Sequence, residues 1–165
     1  MSSFAQMTDF EKIYTQYSSQ VFRVCMGYIN DHEKAKDLTQ EIFISIWKNL
    51  SSFKGESKIS TWVFRICTNH CLRAIEISKR MITSELPANL AAANEESPEE
   101  KLAFLHKCIA ELEESERIII SLELEDVPQA EIADIVGLTE GNTRVKIHRI
   151  KEKLAAKFKF HGQFQ

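Results

Sequence analysis

Apolar residues recur every three or four positions along most of this chain. Phe10, Ile13, Tyr14, Tyr17, Val21, Val24, Cys25 and Tyr28 form one such series, the spacing of a helix with one buried face. Asn30-Asp31 breaks it, and Asp31 can cap the next helix. There Ala35, Leu38, Ile42, Ile46 and Leu50 form one stripe, with Phe43 and Trp47 beside it. Residues 51–57 are a loop around Gly55. A third helix carries Ile59, Trp62, Val63, Ile66, Cys67 and His70 on one side and ends near Arg80. Residues 81–97 are small and polar with little periodicity, the composition of a flexible linker. Ser97-Pro98-Glu99-Glu100 then predicts a helix start, with Ser as cap, Pro first and Glu three residues after the cap. Leu102, Leu105, Ile109 and Leu112 follow on one stripe. Three more helices are expected: about Ser115 to Leu124, from Pro128 to Gly137, and from a Thr139 cap to about Phe160. The pattern predicts an all-α chain of two small helical domains, 1–80 and 98–165, joined by the 81–97 linker.

Composition agrees: 5 Gly and 3 Pro in 165 residues are few for a turn-rich β fold, and 44% apolar residues can fill real cores. No run of 18 apolar residues occurs and Met1 to Phe10 lacks the form of a secretory signal, so a cytoplasmic protein without membrane insertion is expected. Cys25, Cys67, Cys71 and Cys108 include no C-x-x-C pair and read as buried thiols. Cys67, His70 and Cys71 share a helical face, but a fourth ligand at regular spacing is missing, so no metal and no cofactor are expected.

The net charge of −3 conceals a segregation. Residues 1–80 carry 11 basic and 8 acidic groups, residues 81–127 carry 3 and 12, and residues 128–165 carry 7 and 4. Residues 53–80 alone are +4 and residues 141–160 are +6. Two basic patches around an acidic middle fit two separated contacts with a polyanion. Either patch alone reads equally well as a solvated helix face.

Residues 129–150 have the grammar of a helix-turn-helix. Ala133 is small where two helices must approach, and Gly137 can take the left-handed backbone of the turn. Ile132, Val136 and Leu138 would pack the two helices together. The second helix offers Arg144, Lys146, Arg149, Lys151 and Lys153 to phosphates and base edges. An ordinary helical hairpin with a basic face would share these features. Thr143 stands where a fully apolar residue is more usual, although its methyl could fill most of the space.

In the first half, Asp37, Gln40 and Glu41 share one face of the second helix, opposite Leu38 and Ile42. Such a face can serve solubility alone. Trp62 and Phe64 lie among Lys58, Arg65, Arg73, Lys79 and Arg80, with Asn69 nearby. Rings that stack on bases, cations that track the backbone and an amide that reads base edges suit single-stranded DNA. One of the two rings is expected in the core.

Read together, these segments resemble the extracytoplasmic-function (ECF) sigma factors of bacterial RNA polymerase, from about residue 10 to residue 158. Asp-Leu-Thr-Gln-Glu-Ile-Phe (37–43) resembles the family's polymerase-binding segment. Phe53 to His70 resembles its promoter-melting segment, and Leu112 to Arg117 with Glu131 to Arg149 resembles its C-terminal promoter-binding domain. The resemblance implies that Asp37, Gln40 and Glu41 contact the clamp helices of the largest polymerase subunit. It implies that residues 54–62 capture a flipped base of the minus-ten element, with Lys54, Lys58, Ser60, Thr61, Trp62, Arg65, Asn69 and Arg73 contacting that element. Thr143, Arg144, Val145, Lys146, His148 and Arg149 would face the minus-thirty-five duplex. Cys67 replaces a small Ala common in the family, and Val145 stands where Ser is frequent.

The resulting expectation is a non-enzymatic sigma factor, monomeric when free, whose partners are polymerase core, promoter DNA and an anti-sigma protein. An acidic linker would weaken DNA binding by the free protein. A helix-turn-helix regulator acting without polymerase is the alternative. A third reading, an enzyme built on Cys67, His70 or Cys71, lacks a nucleophile-base pair or phosphate loop.

Overall fold

Three of the predicted helix starts have a side-chain cap that the fold displays. The computed structural model describes residues 2–81 and 97–162. The helices are α1 (Ser2–Ile29), α2 (His32–Asn49), α3 (Ile59–Met81), α4 (Pro98–Ala110), α5 (Glu114–Leu124), α6 (Gln129–Val136) and α7 (Glu140–Gly162), with a 3-10 turn at Leu50–Ser52. No strand occurs among the described residues. The Asp31 side chain accepts from the Lys34 amide, 3.0 Å away, and starts α2. Ser97 and Glu100 form the expected capping box, with Pro98 in the first turn of α4. Thr139 Oγ1 accepts from the Asn142 amide and starts α7. Gly137 ends α6 with φ +74°, the left-handed conformation its lack of a Cβ permits.

Some boundaries differ from expectation. α1 begins at Ser2, ahead of the apolar series at Phe10. The 54–62 segment that the resemblance assigns to base capture is part loop and part helix, because α3 begins at Ile59 and the Trp62 amide already donates to Lys58 O. Of the expected 81–97 linker, Met81 belongs to α3 and Ser97 caps α4, while residues 82–96 lie outside the described residues.

α1, α2 and α3 pack on one another through Ile13, Tyr17, Val21, Val24, Leu38, Ile42, Ile46 and Val63. Phe10 meets Trp47 edge-on at 5.1 Å, and Tyr17 meets Phe64 at 6.0 Å. α4 to α7 surround Ile109, Ile118, Ile119, Leu122, Ile132, Ile147 and Ile150. The two halves then share one continuous core, because α1 also packs on α4 and α5, and α3 packs on α6.

The α1–α5 approach is close at Gly27. A Cβ there would sit 2.6 Å from Ser121 Oγ, so a side chain at this position would force the Ser121 hydroxyl to move. On α1, Gln20, Arg23 and Gly27 form the stripe that faces α5. That stripe is polar, so apolar spacing does not reveal it.

Gly137→Ala should lower stability by roughly 1–2 kcal/mol, the cost of a Cβ in the left-handed region. Gly141→Ala, in the first turn of α7 with open space around it, should be neutral or stabilising by up to about 1 kcal/mol. Urea midpoints of the two variants check this, and a Gly137→Ala midpoint equal to the parent's would refute the turn argument.

Candidate nucleic-acid interface

Three polar surfaces emerge. The first is on α2, where Asp37, Gln40 and Glu41 are all exposed on one face. Ile44 continues that face one turn on and is 54% exposed. An isoleucine on an acidic, solvent-facing stripe suits a partner surface that covers it. The sequence reading passed over Ile44, yet its spacing from Gln40 and Glu41 and its absence from the apolar stripe were the available signal. α2 packs on α1 and α3 and is not among the helices that join the two halves.

The second surface is α7. Arg144, Val145, His148 and Arg149 are exposed and Lys146 is half-buried, on the side opposite the buried Ile147, Ile150 and Leu154. Arg144 pairs with Glu140 at 3.0 Å and His148 lies 3.3 Å from Glu152, both within the helix. Val145 is 48% exposed, an apolar contact surface among cations. Thr143 corrects the expectation for this helix. It is fully buried and its hydroxyl donates to Thr139 O at 3.0 Å, so it fills core space and helps hold the first turn.

The basic run of α7 is also divided. Lys151 reaches Glu123 at 2.7 Å, Lys153 reaches Glu116 at 2.6 Å, and Lys157 pairs with Glu111. Lys151 and Lys153 are therefore engaged by α5 rather than available for DNA, as the sequence alone had them. The acidic middle of the chain thus has a structural role. Its carboxylates on and just after α5 neutralise cations from both sides, since Lys79 pairs with Glu114 and Arg23 with Glu125.

The third surface is the start of α3 and the loop before it. Lys54, Asn69 and Arg73 are exposed. Trp62 is half-buried against Phe53, ring centres 5.1 Å apart, while Phe64 is in the core. Thr61 is only 3% exposed, so it is a packing residue and not a surface contact in this arrangement. Lys58, Ser60 and Arg65 are occupied by α6, the first helix of the helix-turn-helix. Lys58 Nζ donates to Glu131 Oε1 at 2.7 Å, Ser60 Oγ donates to Glu131 Oε2 at 3.0 Å, and Arg65 Nη2 donates to Asp134 at 3.0 Å. Burial acts to raise the Glu131 pKa, but the bonds from Lys58, Ser60 and Thr61 and the Lys58 charge outweigh it and hold the carboxyl below its ordinary value.

Arg23 completes the seam between the halves, its Nε and Nη2 gripping both Glu125 oxygens at 2.8–2.9 Å. Ion pairs with an exposed member contribute ~0.2–1 kcal/mol each. The ion pairs across the seam therefore add up to no more than a few kcal/mol, and parting the halves must also expose the apolar core they share.

The cysteines are arranged differently from their helical spacing. Cys67 and Cys71 of α3 converge with Cys25 of α1, not with His70. Their sulfurs lie within 4.8 Å of one another in the fully buried centre of the N-terminal half. Cys108 is buried in α4, apart from this group.

Residues 13–80 match the sigma-70 region 2 family, and residues 105–154 match sigma-70 region 4. The ECF sigma factor SigW of Bacillus subtilis is 28% identical, covering 88% of this chain and 86% of that protein. The chain belongs to the ECF sigma factors. The RNA polymerase sigma-H factor of Pseudomonas aeruginosa is 26% identical, covering 88% of this chain and 83% of its own. The sigma factor RpoE of Bartonella quintana, solved with the anti-sigma factor NepR, shares the fold with TM-score 0.75 at 20% identity, covering 92% of this chain and 97% of that one. This sigma factor therefore directs transcription initiation as an alternative sigma subunit. No helix of the described residues is long and apolar enough to cross a membrane.

Glu131→Gln with Asp134→Asn should loosen the seam while keeping both halves folded. Small-angle scattering should show a larger radius of gyration at unchanged helix content. Gly27→Leu, whose side chain would force Ser121 to move, should do the same from the other side. A radius unchanged in both variants would show that these contacts do not hold the halves together.

Proposed function

We propose that this sigma factor uses its three polar surfaces in sequence. Residues 1–80 act as the polymerase-binding and minus-ten domain and residues 98–165 as the minus-thirty-five domain. The exposed Asp37, Gln40, Glu41 face, extended by Ile44, docks on the clamp helices of the largest subunit of polymerase core. The outer face of α7 enters the major groove of the minus-thirty-five duplex, with Arg144 and Arg149 on base edges or phosphates, Val145 on a thymine methyl, and Lys146 and His148 at the flanks. Lys54, Lys58, Ser60, Trp62, Arg65, Asn69 and Arg73 hold the unpaired non-template strand of the minus-ten element.

The observation that carries this reading is which surfaces the seam covers. The α2 face and the outer face of α7 lie away from it. Only the minus-ten group is engaged, through Lys58, Ser60 and Arg65 on Glu131 and Asp134. Docking on core can therefore come first, and separation of the halves then frees the cations for the single strand. The α6 carboxylates hold the place of DNA phosphates until that exchange. Opening is a population shift driven by differential affinity for the separated halves.

No covalent chemistry is asked of this chain, and a cytoplasmic location follows from its polymerase partner. An anti-sigma protein would act on the same equilibrium by holding the sigma surfaces away from core. The solved relative bound to NepR is the support for that partner class.

Purified protein added to bacterial core polymerase and fragmented DNA of the source organism should yield new transcript starts that share two upstream elements. Asp37→Ala with Gln40→Ala should reduce those transcripts at least tenfold without changing binding to bare DNA. Should core bind nothing, while the protein alone shifts specific duplexes, a polymerase-independent regulator is the correct reading. Arg149→Ala should weaken promoter binding by the holoenzyme by about 1–3 kcal/mol, measured by filter binding at fixed salt. An undiminished affinity would remove Arg149 from the recognition surface.

A further inference from the structure

The Cys25, Cys67 and Cys71 triad is not used by any step above. Two helices deliver its three sulfurs to one point, within 4.8 Å of one another, and all three residues have no solvent exposure. No other Cys, His, Asp or Glu joins this group among the described residues. We propose that the triad is a three-coordinate trithiolate site for a trivalent metalloid, with arsenous acid as the ligand class.

Two constraints select that class. Thiolates prefer soft ions, and a set of three favours an ion that needs no fourth ligand. Zinc in a protein is ordinarily four-coordinate, and no fourth donor converges here. The second constraint is charge. The site lies in the apolar centre formed by α1, α2 and α3, where an uncompensated charge is costly. Three thiolates with a divalent ion leave −1, and with a monovalent ion −2. Three thiolates with a trivalent metalloid leave zero.

The reaction balances without an oxidant or reductant. Arsenous acid, As(OH)3, exchanges its three As–O bonds for three As–S bonds, the three thiol protons leave with the hydroxides as three waters, and arsenic stays trivalent. The product staples α1 to α3 beneath the segment that carries Asn69 and Arg73. Entry to a buried site requires a transient separation of these helices, so slow binding is expected.

The test titrates the reduced full chain with sodium arsenite under anaerobic conditions. Native mass spectrometry should show one arsenic per chain with loss of three protons, at unchanged helix content. Arsenic X-ray absorption should show three sulfur neighbours. Alkylation after rapid denaturation should label Cys108 and spare the other three. Cys67→Ser and Cys71→Ser should each weaken binding at least tenfold, whereas Cys108→Ser should not. If those serine variants misfold, the wild-type stoichiometry, sulfur count and labelling pattern still decide. Absence of a one-to-one adduct, a two-sulfur shell, labelling of the triad, or loss of helix on binding would each overturn the assignment. So would zinc that displaces equimolar arsenite and shows a four-ligand shell.

Discussion

A nearly buried carboxylate at the start of α6 governs how the two halves of this sigma factor meet. Glu131 faces Lys58 and Ser60 at 2.7 and 3.0 Å, and its side chain is only 12% exposed. Those donors favour the charged carboxylate, because they outweigh the partial burial that would otherwise raise its pKa. Its donors belong to the segment expected to hold single-stranded DNA. Any arrangement that gives Lys58 and Ser60 to DNA must therefore return Glu131 to water, so the same contact links interdomain geometry to promoter opening.

The charge distribution gains a meaning from this linkage. Glu116 and Glu123 of α5 hold Lys153 and Lys151 of α7, while Glu114 and Glu125 reach across to Lys79 and Arg23. The acidic middle thus engages part of the basic set and leaves others outward, among them Arg144 and Arg149 on α7 and Lys54 and Arg73 in the first half. A DNA-binding protein with net charge −3 is consistent on this basis, since its acids serve as internal partners. The individual pairs are weak enough to exchange, which a reversible switch requires.

Much of the fold was legible because helix signals are local. Asp31, Ser97 with Glu100, Thr139 and Gly137 mark boundaries through bonds that span three or four residues, and the apolar stripes of α2 and α3 follow their burial, whereas on the expected α4 stripe Ile109 is buried and Leu102 is exposed. The exposed face of α2 and the outer cations of α7 were also readable, since a helix assigns its faces by spacing alone. The seam was not legible. It is built from Gln20, Arg23, Gly27, Lys58 and Arg65 against Ser121, Glu125, Glu131 and Asp134, residues that look solvated when counted along one helix. Thr61 and Thr143 were misplaced for the converse reason, because a polar type on a functional helix is not always outward. The cysteine triad was missed because helical spacing joins Cys67 to His70 and Cys71, whereas tertiary packing joins Cys67 and Cys71 to Cys25.

The direct test of this account is the distance across the seam, read by energy transfer between dyes on the outer faces of α1 and α6. The free protein should show one high-transfer state, and added polymerase core should convert it to a low-transfer state that persists on promoter DNA. A free protein already in the low-transfer state, or a transcribing complex with the distance unchanged, would contradict the claim that polymerase frees the minus-ten surface by parting the halves.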